Sequence, residues 1–407
     1  MKSMADYRKD FPILQNHPDV VYFDSTATSL KPQVVIDAIS HYYTHFGANI
    51  HRGIYDLSES ATEAFEETRS VVAEFLNASE DEVIFTRGTT ESMNLLGYTV
   101  GEQIVEEGDE VVATLMEHHA NFVTWQQLAA RKKAKFKVVE IDENGDLDIE
   151  HLDKYIGPKT KIFACTYVSN VLGIINPIVE IVKAVRSINP NTLIVIDAAQ
   201  AVPHIKIDVC DIDCDFLAFS AHKMCGPTGV GVLYGKRERL AEMKPFMYGG
   251  DMILNVFVDS STYQEPPYRF EAGTPHISGI IAFKESIRYL QEVTFEAIEE
   301  HEKKLSDLFM KLTKESLGDR LIIMGENSKY PRVAVMAMAV KNTHPHDLAD
   351  LLNDDHMCVR AGHHCAMPLH SFFKIPASTR ASMYFYNTEE EITRFVESFV
   401  KAVDLFS

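Results

Sequence analysis

Short apolar, β-branched runs recur along the first 240 residues, and several are followed by an amphipathic stretch. "EVIFT" (82–86) precedes "TESMNLLGYTVGEQIV", "EVVATL" (110–115) precedes "NFVTWQQLAARKK", and "KIFACTYV" (161–168) precedes "PIVEIVKAVRSI". "TLIVID" (192–197), "DFLAFS" (215–220) and "VGVLYG" (230–235) complete the series. Strands covered on both faces read as continuous apolar runs, and their alternation with helices implies a parallel sheet of the α/β class. Such sheets bind ligands beyond the carboxyl ends of their strands, so the residues just after each run are where chemistry is expected. After residue 280 the pattern changes. A charged amphipathic segment, "FEAIEEHEKKLSDLFMKLTKESL", marks a boundary. "RVAVMAMAV" (332–340) then reads as a strand, "HDLADLLNDDH" as a helix, "CVRAG" as a short strand and "EEEITRFVESFVKAV" as a terminal helix, a smaller α+β unit.

Length and charge narrow the function. A chain of 407 residues predicts two domains rather than one. The net charge is -20, which disfavours nucleic acid and anionic membrane surfaces as partners. The N-terminal "MKSMADYRKDFPIL" has no apolar h-region, and no run reaches the length of a membrane span. Six cysteines in so long a chain do not make a disulfide framework, and Cys210 and Cys214 lack the spacing of a zinc pair. A reducing cytoplasm is the expected compartment.

The strand ends carry the chemistry. "TLIVID" ends in Asp197, followed by Gln200; "DFLAFS" ends in Ser220, followed by His222 and Lys223. Singly, these read as a helix cap and a surface lysine. Together, a carboxylate and an amine 26 residues apart, each just past a core strand, match what pyridoxal phosphate requires. Its aldehyde bonds a lysine, and its ring nitrogen needs an acid beside it to stay protonated. Gly88-Thr89-Thr90 after "EVIFT" opens a helix with amides and hydroxyls suited to a phosphate. His118 and His119 follow "EVVATL", where an imidazole can stack on a ring. A metal pair is disfavoured, because adjacent histidines point apart on a strand and share no helical face. Asn170 follows "KIFACTYV", within reach of the ring or of a substrate carboxylate.

With these residues in place, the chain resembles the fold-type I, class V pyridoxal-phosphate enzymes, and within them the SUF-type (group II) cysteine desulfurases. The matching motifs are "NIHRG", "RGTTE", "MEHHAN", "VSNVLG", "DAAQAV", "SAHKMCGPTGVGVLY", "RFEAGTP", "RAGHHCAMP" and "RASMYFYNT", in the family's order over nearly the whole chain. The resemblance implies a large domain (21–290) with a mostly parallel seven-stranded sheet between helices. It also implies a small α+β domain (291–407) carrying the Cys365 loop, and an N-terminal segment (1–20) packed on the small domain. It makes Lys223 the Schiff-base lysine, Asp197 the pyridinium partner, Gln200 a contact to the ring oxygen and His118 the stacking imidazole. Thr89, Thr90, Ser220 and His222 become phosphate ligands, and Thr274 reaches the phosphate of a second subunit, so a homodimer is implied. Cys365 becomes the persulfide-forming cysteine. Arg380 becomes the carboxylate clamp, with Asn170, Arg360 and His51 also on the substrate side. No metal is implied. The implied activity converts L-cysteine to L-alanine and hands sulfur to a scaffold or shuttle protein of iron–sulfur cluster assembly.

The chain departs from the family pattern in three places. Tyr55 stands where a histidine is usual, Asp251 follows Gly249-Gly250 where glutamate is common, and Thr26 in "DSTATS" replaces a small residue. Two other readings stay open from sequence: a different class V reaction, such as selenocysteine lyase, and a scaffold that keeps the fold without activity.

Overall fold

The apolar runs become strands. In the computed structural model, which describes residues 2–406, a two-residue strand β1 (Val21–Tyr22) precedes the main sheet. The sheet then takes β2 (Val83–Thr86), β3 (Glu110–Thr114), β4 (Lys135–Val139), β5 (Thr160–Thr166), β6 (Leu193–Asp197), β7 (Phe216–Ser220) and β8 (Gly231–Gly235). Their order across the sheet is β2-β8-β7-β6-β5-β3-β4. β8 runs antiparallel to both of its neighbours, and the remaining pairs are parallel. Every residue of β6 and β7 is buried, which is why those strands show no alternation in sequence. β4 escaped the sequence reading because "KFKVV" is an edge strand with lysines alternating between apolar residues.

The helix expected after β2 is broken. It runs Thr89–Leu96, widens into one π-type turn over Gly97–Gly101, and ends at Glu102–Ile104. This turn passes close to the helix His119–Lys132: a Cβ at Gly101 would sit 2.6 Å from Leu128. A hairpin, β9 (Ile253–Val256) and β10 (Ser261–Tyr263), follows the main sheet.

The helices Ile277–Val293 and Phe295–Leu317 meet at Thr294, whose φ of 73° turns the chain. Beyond them lie β11 (Leu321–Ile323), β12 (Val335–Val340), β13 (Met357–Cys358), β14 (Arg360–Gly362) and β15 (Ser378–Ser382). Four of these form a second sheet in the order β11-β12-β15-β14. The N-terminal segment spans both units: Phe11 packs on Tyr289 of one and on Phe385 and Tyr386 of the other. β1 pairs in parallel with β13, so the strand after residue 20 sits with the C-terminal sheet. A buried His204–Glu302 pair at 2.7 Å joins the loop after β6 to the helix Phe295–Leu317.

Arg69 is the most deeply committed cation of the large unit. Its guanidinium donates to the Val83 carbonyl at 2.9 Å and to Glu271 at 2.8 and 2.9 Å, and lies against the rings of Phe85 and Tyr268. Glu271 in turn accepts the Phe85 amide at 2.7 Å. Replacing Arg69 by methionine leaves Glu271 buried without its counter-ion, so a loss of about 3–5 kcal/mol is expected. Urea unfolding at fixed protein concentration reads it; a loss under about 1 kcal/mol would show that the pair contributes only as much as an exposed one.

Candidate active site

The carboxyl ends of β5, β6 and β7 open into a cavity of about 390 Å³ that β14 and β15 of the second sheet also line. Thr26, Thr89, Thr90, His118, Asn170, Asp197, Gln200, Ser220, His222, Lys223, Arg360, His364, Cys365 and Arg380 all line it. Most of the residues singled out in the sequence thus meet in one place. Thr274 and His51 do not. His51 lines a separate cavity with Arg52, Tyr268 and Glu271, and Thr274, exposed, lies on the segment that borders it. Within one chain these two stay away from Lys223.

Lys223 closes the single turn Ala221–Lys223 directly after β7. Burial pulls its ammonium down to about 8 from the usual 10.5, with Asp197 opposing and Arg380 adding to the shift. Asp197, the last residue of β6, is pushed up by burial against the pull of Lys223 and of the Ala199 amide, which donates to it at 2.9 Å. On the other side, Ser220 Oγ accepts the Thr89 amide at 2.9 Å and meets the Thr89 hydroxyl at 2.8 Å. The close approach of β8 to the start of this helix needs glycines. A Cβ on Gly231 would lie 2.4 Å from the Gly88 backbone, which itself has a φ of 150°.

His118 caps the helix His119–Lys132, its Nδ1 accepting the Ala120 amide at 3.1 Å. The acceptor role fixes the tautomer, with the proton on Nε2. Burial, with Lys223 next, lowers its basicity to about 3, so the imidazole is neutral at ordinary pH. Behind it, the buried Glu117 accepts from Thr114 at 2.6 Å, the Thr166 amide at 2.8 Å and Asn121 at 2.6 Å, bolting β3, β5 and the helix together. Burial pushes this carboxyl up to about 8 against those donors.

Cys365 is exposed at the cavity edge, and it and His364 have φ of 58° and 49°. Two successive left-handed residues without glycine are costly and persist only where the surroundings impose them. Those surroundings are visible. Asn170 Nδ2 donates to the His364 carbonyl at 2.6 Å, and the His119 amide donates to the Cys365 carbonyl at 2.7 Å. The Met367 amide donates to His119 Nε2 at 3.1 Å, and His364 Nε2 meets Ser378 at 3.0 Å. Asn170 therefore gives one of its two amide hydrogens to this turn, a role not read from the sequence. Arg380 donates to the Asn170 carbonyl at 3.0 Å and to Asp24 at 3.3 Å, and burial lowers it to about 10.

Sequence reasoning missed Asp24 and His119. Asp24 ends the apolar run "VVYFD", the same signature as Asp197, but the run is too short to mark a core strand. His119 gave no signal beyond its neighbour, because its partner Met367 lies 248 residues away.

Residues 21–395 match the family model described as aminotransferase class-V. The chain belongs to the class-V aminotransferase family. Within this pyridoxal-phosphate-dependent family it is 42% identical to a cysteine desulfurase of Haloferax volcanii, over 98% of this chain and 97% of that protein. The apo structure of a cysteine desulfurase from Thermococcus onnurineus superposes with a TM-score of 0.94 at 38% identity, covering 99% of both chains. A cysteine desulfurase from Escherichia coli, in its S-sulfonic acid form, gives 0.91 at 32% identity over 100% of both.

The cavity fits the class-V cofactor. Among the described residues, Thr26 Oγ1, Gln200 Oε1 and Arg380 Nε are buried without hydrogen-bond partners, and all three residues face it. Buried polar atoms left alone cost about 1–3 kcal/mol each, so a polar ligand here satisfies groups the fold leaves open. A further expectation follows from the buried amine. In the cofactor-free protein, competitive acetylation of Lys223 should rise with pH around a midpoint near 8. A midpoint at the ordinary lysine value would mean that the site is wetter than its burial indicates.

Proposed function

We propose that the chain is a pyridoxal-phosphate-dependent cysteine desulfurase of the SUF type, forming alanine from L-cysteine and a persulfide on Cys365. The observation that carries this reading is the convergence of a buried amine, a buried acid, a neutral imidazole, an arginine with an unpaired N–H and an exposed cysteine on one cavity. Lys223 is the residue that would bond the cofactor, with Asp197 at the ring nitrogen, His118 on the ring face and Gln200 at the ring oxygen. Thr89, Thr90, Ser220 and His222 would take the phosphate. When bound, the cofactor supplies an electron sink next to the substrate α-carbon.

The chain's own groups do the rest. Arg380 and Asn170, with Arg360 at the mouth, orient the substrate carboxylate. Lys223 holds and moves a proton, and its lowered basicity keeps a useful fraction of free amine near neutrality. Nε2 of His118 carries a second movable proton. Cys365 Sγ bonds the substrate sulfur as the Cβ–S bond breaks. The two thiol protons are redistributed between the alanine methyl group and the new persulfide, and no oxidant is required. An exposed cysteine on a loop can then pass the sulfur outward to a scaffold or shuttle protein of iron–sulfur cluster assembly. Thr274 and His51 lie on another face of the same chain. We therefore infer a homodimer in which they complete the partner's site, working in the cytoplasm.

The two halves of the chemistry separate by mutation. Borohydride should fix the cofactor on Lys223 in the wild-type protein and in Cys365→Ala alike. Cys365→Ala should still change its visible spectrum with cysteine but carry no sulfane sulfur after one turnover, whereas Lys223→Ala should lose alanine formation altogether. Wild-type amounts of bound sulfur and of alanine from Cys365→Ala would sink the mechanism.

Assembly is tested by sedimentation. Cofactor-loaded protein should run as a dimer and lose cofactor on dilution to monomer; a fully active, loaded monomer contradicts the shared site.

A further inference from the structure

Two arginines face each other across the second sheet, in a register that by itself is unfavourable. Arg360 on β14 and Arg380 on β15 are direct cross-strand partners. Directly opposed residues project from the same face, and like charges there repel. The structure resolves the conflict with one carboxylate. Asp24 takes Arg360 with both oxygens, at 2.8 and 3.2 Å, and Arg380 Nη2 at 3.3 Å.

Asp24 is held rigidly for this. The Phe23 amide donates to the Cys358 carbonyl at 3.0 Å, and the Ser25 and Ser382 amides exchange bonds with Ser382 and Phe23 at 3.3 and 2.8 Å. The Asp24 carboxylate is therefore fixed between β13 and β15 before any ligand arrives. Its own side chain is 16% exposed, Arg380's 3% and Arg360's 50%. The flexible member of the trio is thus Arg360, at the cavity mouth.

Two fixed oxygens, from Asp24 and from the Asn170 carbonyl, hold the ends of the Arg380 guanidinium. Its Nε–H is buried and without a partner, and the side chain faces the cavity. Two guanidiniums and one carboxylate leave the trio with one uncompensated positive charge. A single incoming carboxylate neutralises it and satisfies the open N–H.

We propose that Asp24 is a positioning residue that sets the site's affinity for the α-carboxylate of its amino-acid substrate. It does so by holding Arg380 against the repulsion of Arg360. The inference rests on the cysteine desulfurase reading. Two outcomes of removing the charge are opposed. If only net field mattered, Asp24→Asn would make the site more positive and bind carboxylates more tightly. If Asp24 positions Arg380, the same change frees Arg360 to push Arg380 off its line, and binding weakens.

The test uses cofactor-loaded wild-type and Asp24→Asn protein. Three measurements are made: alanine formation from L-cysteine, turnover of cysteamine, which lacks the carboxylate, and calorimetric binding of 3-mercaptopropionate, which lacks the amine. Loss of a charge-assisted contact predicts a cysteine KM and a mercaptopropionate Kd raised about tenfold, with kcat for cysteine and kcat/KM for cysteamine within about threefold of wild type. An unchanged or lowered KM and Kd, or an equal loss on cysteine and cysteamine, overturns the proposal. Should Asp24→Asn not fold, Asp24→Glu, with its longer arm, is expected to raise both constants in the same direction, and wild-type constants there overturn it equally. Wild-type protein that forms no alanine from cysteine rejects the desulfurase reading itself, while the calorimetric comparison still decides the role of Asp24.

Discussion

An amine of lowered basicity needs burial, and the sheet provides it at the carboxyl end of β7. Lys223 is held there by burial that lowers its basicity to about 8, with Asp197 opposing the shift from the neighbouring strand. The same burial raises the carboxyl of Asp197, against the pull of Lys223. Much of the neighbourhood serves this condition. The imidazoles of His118 and His222 are driven neutral by burial and by Lys223 itself, so no second cation competes for Asp197 from that side. Lys31 and the Ser29 amide bind the His222 carbonyl at 3.0 and 3.1 Å and hold the turn that presents the lysine.

Cys365 is in the opposite situation: it is exposed, so burial does not fix it. The chain fixes its backbone instead, in a conformation that would relax if left alone. Asn170 and His119 pin the carbonyls of His364 and Cys365, and Ser378 receives His364. These anchors come from segments that follow β3 and β5 of the main sheet and from β15 of the second sheet, so the position of the cysteine relative to the lysine depends on how the two sheets meet. The bridges that set this, Arg380 to Asn170 and His204 to Glu302, are themselves buried. Catalytic geometry and the interface between the units are thus one structural problem.

How much of this was legible in the sequence follows the same division. β6 and β7 read clearly because strands covered on both faces are apolar throughout, and Asp197 and Lys223 stood out as charges where apolar runs stop. β4 did not read, because an edge strand alternates with lysine like a surface segment. The helix after β2 read as continuous because its apolar pattern runs unbroken through the π-type turn over Gly97–Gly101. Cys365 and Arg380 were reached through motif resemblance, since nothing in their spacing alone distinguishes them. Asp24, His119 and the second role of Asn170 act through partners some 200 to 360 residues away, and only folding brings those together.

Thr274 and His51 are the residues singled out in the sequence that the single chain does not bring to the Lys223 cavity. Both sit in motifs as strong as those around Lys223, yet they border a different cavity. Glu271, three residues before Thr274, is pinned by buried Arg69, which also binds the Val83 carbonyl at the start of β2. β2 in turn leads into Gly88 and Thr89, on the Ser220 side of the cavity. One buried arginine therefore braces both the segment that carries Thr274 and the strand that delivers Thr89. If two copies share their sites, that arginine couples each chain's own Ser220 side to the side it offers its partner. The rigidity needed for an exposed threonine to serve a neighbour is then supplied by the core, not by the interface.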